Sequence, residues 1–192
     1  MPKTSIVTKP VLGVVTLTEM KDWLKVGDSE DAIVWHCIKS ATEYIQEVTQ
    51  RCFVQTTYNL YLENFPSTKI VLPYPPLVSV SSVKYYDTSE VQQTLSASLY
   101  RVDIYDTPGT IEIINSWPSY FSKVNTIEVQ YVAGYTNSDN IPSRVKEIVL
   151  ILAAHLFENR QQFAMNPGYL FTASMELGVY DQLQTLMIWK NL

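Results

Sequence analysis

The 192-residue chain has no run of basic residues, two cysteines and two histidines. It also lacks any apolar stretch approaching the ~20 residues that a membrane-spanning helix needs. Each shortage excludes something. Fourteen Lys and Arg against nineteen Asp and Glu give a net charge of −5 and a pI near 5.0. That balance argues against gripping nucleic acid, because neutralising phosphates takes clustered cations. The opening MPKTSIVTKPVLGVV has neither the length nor the cleavage pattern of a signal peptide, so a cytosol-like compartment without membrane insertion is expected. Cys37 and Cys52 fall at the two ends of one expected helix, which would hold them roughly 22 Å apart. A disulfide needs its Cα atoms within about 7 Å, so both are read as reduced thiols.

Catalytic patterns are equally scarce. No GxSxG, P-loop or GxGxxG occurs. His155 lies among Leu152 and Leu156, where a packed histidine is the simpler reading. No CxxC, HxxxH or HxxE pattern accompanies His36. The acidic pairs Glu30/Asp31 and Asp103/Asp106 are explained by helix-end charge and turn formation before acid–base chemistry. Neither an enzyme nor a cofactor or metal protein is expected.

What the chain does have is apolar side chains in patterned form. Hydrophobic residues make up 46% and charged residues 17%, as in an ordinary globular protein, with thirteen Tyr and four Trp. In IPSRVKEIVLILAAHLFENRQ (141–161), Pro142 suits a helix start. Val145, Ile148, Val149, Leu152 and Leu156 share one face, while Leu150 and Phe157 fall nearly opposite. A helix apolar nearly all round must be covered on nearly all sides, in part by another subunit.

Around it the periodicity divides the chain. Thr18 caps an expected short helix over 19–25, and Asp28 or Ser29 caps a longer one to about Gln50. The apolar arc of the longer helix is Ile33, Cys37, Ile38, Ala41, Tyr44, Ile45 and Val48. From Phe53 to Val132 the period becomes two, giving expected strands at 54–62, 69–72, 78–86, 91–95, 100–105, 110–114 and 124–132. Tight turns between short strands imply antiparallel pairing, in a small sandwich or curled sheet. A last amphipathic helix is expected over 179–189. The expected class is α+β: a small helical bundle, made of an N-terminal helix pair plus the central C-terminal helix, with an antiparallel β-rich insertion. Its parts are an N-terminal arm (1–15), a helical core (16–52 and 138–165), the insertion (53–137) and a C-terminal arm (166–192).

Taken in order, LTEMKDWLKV (17–26), EDAIVWHCIKSATEYIQEVTQR (30–51), LPYPPLVSVSSVKYYD (72–87), YRVD (100–103), WP (117–118), VQYVAGYT (129–136) and IPSRVKEIVLILAAHLFENR (141–160) carry a resemblance. The sequence resembles the head–tail connector (adaptor, or neck) proteins of long-tailed bacteriophages, in the variety with a β-rich insertion, from about Thr16 to Leu183. One departure is HLFENR, where many relatives carry a more aromatic ending. The resemblance implies a structural virion protein in the neck at the unique capsid vertex, present in the host cytoplasm before assembly. It implies a homo-oligomeric ring, usually a dodecamer, that sits beneath the portal protein and joins capsid to tail. Such a ring carries a stopper or tail-completion protein and extends a channel through which double-stranded DNA passes without specific binding. A stopper or tail-completion protein of the neck is the nearest alternative. A β-rich ligand-binding module with exposed Tyr and Trp is the alternative from another class.

Three groups of residues are candidate contacts. Trp35 stands about 160° from Cys37, on the polar face with Lys39, and is a candidate subunit or portal contact. Glu158 and Arg160, at the end of the central helix, could pair between subunits. In the C-terminal segment Leu183, Leu186 and Met187 lie near one helical face with Val179, and Trp189 closes it; connectors use this region against the portal. The loop NSWPSYFSK (115–123) places Trp117, Tyr120 and Phe121 within five positions. It is either a plug closing the β layer or a contact with the tail-side partner.

Overall fold

The computed structural model describes residues 3–8, 13–159, 172 and 178–188. The chain forms two compact units, Met1–Pro10 with Gln55–Tyr135 and Val11–Val54 with Thr136–Leu192. Among the described residues, the first holds the strands and the second the α-helices.

In the helical unit, α1 spans Leu17–Leu24 and is capped by Thr16 rather than the expected Thr18. The Thr16 hydroxyl accepts from the Glu19 amide at 3.1 Å, and a Glu19 carboxylate oxygen accepts from the Thr16 amide at 2.7 Å. This reciprocal arrangement needs an acid three residues after the cap, which Thr16 has and Thr18 lacks. A 3-10 turn, Asp28–Glu30, leads into α2, Asp31–Thr49. Cys37, Ile38, Ala41 and Ile45 are buried as the periodicity implied. Val34 and Thr49 complete the face, while Ile33 is exposed, so the buried arc is rotated from the expected one. Cys37 sits inside α2 and Cys52 beyond its end; both are buried thiols.

Pro142 caps α3, Ser143–Glu158. Val145, Ile148, Val149, Leu152, Ala153 and Leu156 are buried, with Leu150 and Phe157 half-buried on the other side. Lys21 of α1 reaches Asp28 and, at 2.8 Å, Asp31, tying α1 to the start of α2. Lys146 of α3 faces Glu19 at 4.0 Å. A last helix, α4, covers Val179–Gln184, shorter than the expected 179–189.

The β unit contains two antiparallel sheets. Strands β1 (Lys3–Thr8), β2 (Thr56–Leu62), β4 (Leu77–Tyr86), β5 (Gln92–Thr94) and β8 (Ile127–Ala133) form one, in the order β1-β2-β8-β4-β5. Strands β3 (Lys69–Val71), β6 (Tyr100–Asp103) and β7 (Thr110–Ile113) form the other, in the order β3-β7-β6. Pairing follows the period-two pattern. Tyr58 faces Tyr131 and Leu60 faces Val129, all buried, while Asn59 and Gln130 face each other on the opposite side. Seven strands fall where the alternation predicted, with ends moved by up to three residues. β1 was not anticipated: KTSIVT joins the sheet edge from within the segment expected to be an arm. Its four β-branched residues suit a strand, but Ile6 and Val7 are adjacent and break the period-two alternation, so the pattern alone gives no signal without the β2 edge it pairs with.

Candidate assembly surfaces

The loop after β7 is held by its aromatic residues. The Trp117 indole stacks on Phe65 with centroids 4.4 Å apart and planes 8° apart, and its Nε1–H donates to the Pro66 carbonyl at 2.8 Å. Tyr120 meets the edge of Phe65 at 5.3 Å, and its hydroxyl donates to Asn64 Oδ1 at 3.3 Å. The Phe121 amide bonds to the Tyr86 carbonyl at 3.0 Å, and Lys123 Nζ lies 3.4 Å from the centre of the Tyr86 ring. Thr126 Oγ1, buried, receives the Lys123 amide at 2.7 Å. Trp117 and Tyr120 are thus engaged inside the β unit, while the Phe121 ring is partly exposed. Phe65, the centre of the cluster, gave no signal in sequence because Trp117 and Tyr120, which close on its ring, lie more than fifty positions away.

Trp35 projects from α2 beside the incoming chain. A Cβ on Gly13 would stand 3.4 Å from Trp35 Cζ3 and 3.0 Å from Ile38 Cγ2, so a side chain there would crowd the indole and the core together. Trp35 remains 38% exposed. Lys39 is exposed and stands 3.9 Å from Glu43, an i,i+4 pair of small energetic weight. Glu158 is exposed at the end of α3. Arg160 and Trp189 lie outside the described residues.

The C-terminal segment packs within the helical unit. Val179 and Leu183 are fully buried, while Leu186 and Met187 are half-buried. The Ile188 amide donates to the Thr49 carbonyl at 3.0 Å, and Arg51 Nε donates to the Leu186 carbonyl at 2.6 Å. Leu183 therefore belongs to its own core here, and Leu186 and Met187 are the members of that face left partly accessible.

Two exposed aromatics fell outside the expected set. Trp23 on α1 is 53% exposed, and Tyr105 stands in the β6–β7 turn. The DxxD spacing of Asp103 and Asp106 marks that turn in the sequence, though not the exposure of the ring between them. Among the described residues no group of three His, Cys, Asp or Glu could hold a metal ion. None of the described helices is long and apolar enough to cross a membrane.

A family model described as head completion protein matches residues 13–166. The chain belongs to the head completion protein family. Three solved structures share the fold of this head completion protein at low sequence identity. The neck of an empty GTA particle computed with C6 symmetry matches with a TM-score of 0.73 at 20% identity, covering 83% of this chain and 85% of that one. A chain of the native gene transfer agent virion matches at 0.71 and 21% identity, covering 82% and 85%. The native GTA neck computed with C12 symmetry matches at 0.67 and 19%, covering 83% and 85%. No curated protein is a match. The family model spans α1, α2, α3 and the β unit from β2 to β8, so β1 and α4 lie outside the matched segment.

Proposed function

We propose that this head completion protein is a structural component of the neck of a phage-like particle, forming a ring beneath the portal that joins capsid to tail. The observation that carries the reading is the shared fold, over 83% of the chain, with subunits solved in particle necks under sixfold and twelvefold symmetry. A ring of twelve copies on the portal matches that symmetry. Its other contact is a stopper or tail-completion protein. A net charge of −5 suits a conduit that double-stranded DNA traverses without being held. The subunit resides in the host cytoplasm until it assembles.

Trp35 with Lys39, the end of α3 at Glu158 and Arg160, and the accessible part of the C-terminal segment at Leu186, Met187 and Trp189 are the proposed subunit or portal contacts. Leu183 supports that segment from beneath. Phe121, with Trp117 and Tyr120 behind it, is the proposed tail-side contact. Native mass measurement and electron microscopy of the purified protein, alone and with its portal, test the reading. Rings of twelve on the portal are expected. A monomer that ignores the portal removes the reading and favours a ligand-binding module; a ring that joins the neck only after another ring is in place favours a stopper.

A further inference from the structure

The β unit has two different ends, and each leaves apolar side chains in solvent. At one end β1 is the outermost strand of the five-stranded sheet, with Ile6 52% and Val7 49% exposed. At the other end β4 and β5 lead through residues 72–76 and 95–99 into the three-stranded sheet. Gly109, just before β7, lies against β4: a Cβ there would stand 2.7 Å from Leu77 Cβ. The β6–β7 turn at this end carries Ile104, exposed, and Tyr105, 92% exposed.

That turn is held stiffly. Asp103 Oδ1 accepts the amides of Tyr105 and Asp106 at 2.9 and 3.2 Å. The Asp106 carboxylate accepts the Thr107 amide at 2.9 Å and Lys69 Nζ from β3 at 3.2 Å. A turn whose backbone is already fixed has little ordering entropy left to lose on binding, which suits it to present an exposed tyrosine as an interface anchor. The charges of the two ends are opposite. DIYD (103–106) carries two acids, of which Asp106 is paired with Lys69, whereas β1 carries Lys3 and no acid.

Resting on the ring reading above, we propose that the DIYD turn of one copy docks on β1 of the next, with Tyr105 covering Ile6 and Val7. Contact between two unlike surfaces of one chain is heterologous, the kind of contact that builds a ring when its rotation closes. In that contact the acidic turn meets Lys3 of β1, so the interface also weakens as salt rises.

Paired cysteines, Ile6→Cys with Tyr105→Cys, test the contact in the full-length protein assembled on its portal. A disulfide closed within one chain would leave the subunit a monomer on a denaturing gel, whereas the expected bond joins neighbouring copies. Oxidised rings should therefore run as a ladder of covalent multimers on a denaturing gel, while each single-cysteine variant runs as a monomer. A ring without the ladder overturns the contact and leaves the ring reading standing; a wild-type protein that forms no ring overturns both. Tyr105→Ser should leave the monomer's melting temperature unchanged and lower ring assembly about tenfold or more. Normal Tyr105→Ser rings that fail only to accept the next neck protein also overturn the proposal, because the turn then faces a different partner.

Discussion

Replacing Trp117 with alanine should destabilise the β unit by about 2–5 kcal/mol. Three losses contribute. The stacked pair with Phe65 at 4.4 Å contributes about 0.5–1.5 kcal/mol beyond its area. The 2.8 Å bond from Nε1 to the Pro66 carbonyl adds about 0.5–1.5 kcal/mol. Burial of a half-covered indole supplies a further ~1–2 kcal/mol. With a urea slope of about 2 kcal/mol/M, the unfolding midpoint should fall by about 1–2.5 M. Amide exchange of Ile127–Ala133 in the centre of the sheet gives a readout local to this unit. Trp117→Phe keeps the stack and loses the hydrogen bond, so it should cost only about 1 kcal/mol. Trp117→Ala with wild-type exchange and an unchanged midpoint would refute the reasoning. If that same variant formed rings unable to take a tail-side partner, the loop would be a contact and not a plug.

Leu183→Ala should cost about 2–5 kcal/mol in the helical unit and raise exchange in residues 178–188, since Leu183 is fully buried; exchange already fast in the wild-type subunit would count against the docked helix. Thr16→Ala should lower thermal stability by about 0.5–2 kcal/mol through loss of the reciprocal cap, measured by calorimetry. The Glu19 carboxyl is held below its ordinary value of 4.5, chiefly by the Thr16 amide. Its stabilising share is complete above that value and is lost as pH falls through the lower folded-state value; Glu19→Gln should flatten that acid limb. Gly109→Ala places a methyl 2.6 Å from Leu77 Cδ2 and 2.7 Å from its Cβ. Leu77 cannot swing its own Cβ aside, so a loss of about 1–3 kcal/mol is expected in a denaturation curve.

The sequence alone determined the elements whose pattern is periodic and long. Residues of α2 and α3 repeat their apolar positions over four turns or more, and the strands from β2 to β8 alternate, because burial on one side dictates that spacing wherever the neighbour comes from. The order and spacing of those pieces also carried the resemblance that the family match supports. Tertiary structure decided what pairwise contact controls. β1 is a strand only because the open edge of β2 receives it. Trp117 and Tyr120 turn inward because Phe65, fifty-odd positions earlier, offers its ring, whereas Tyr105 stays outside because Asp103 and Asp106 spend their side chains on the turn's own amides. Val179 and Leu183 are buried where the end of α2 at Thr49 and Arg51 just beyond it take up the polar groups that follow. A periodic pattern says that a face must be covered; only the folded chain says by what.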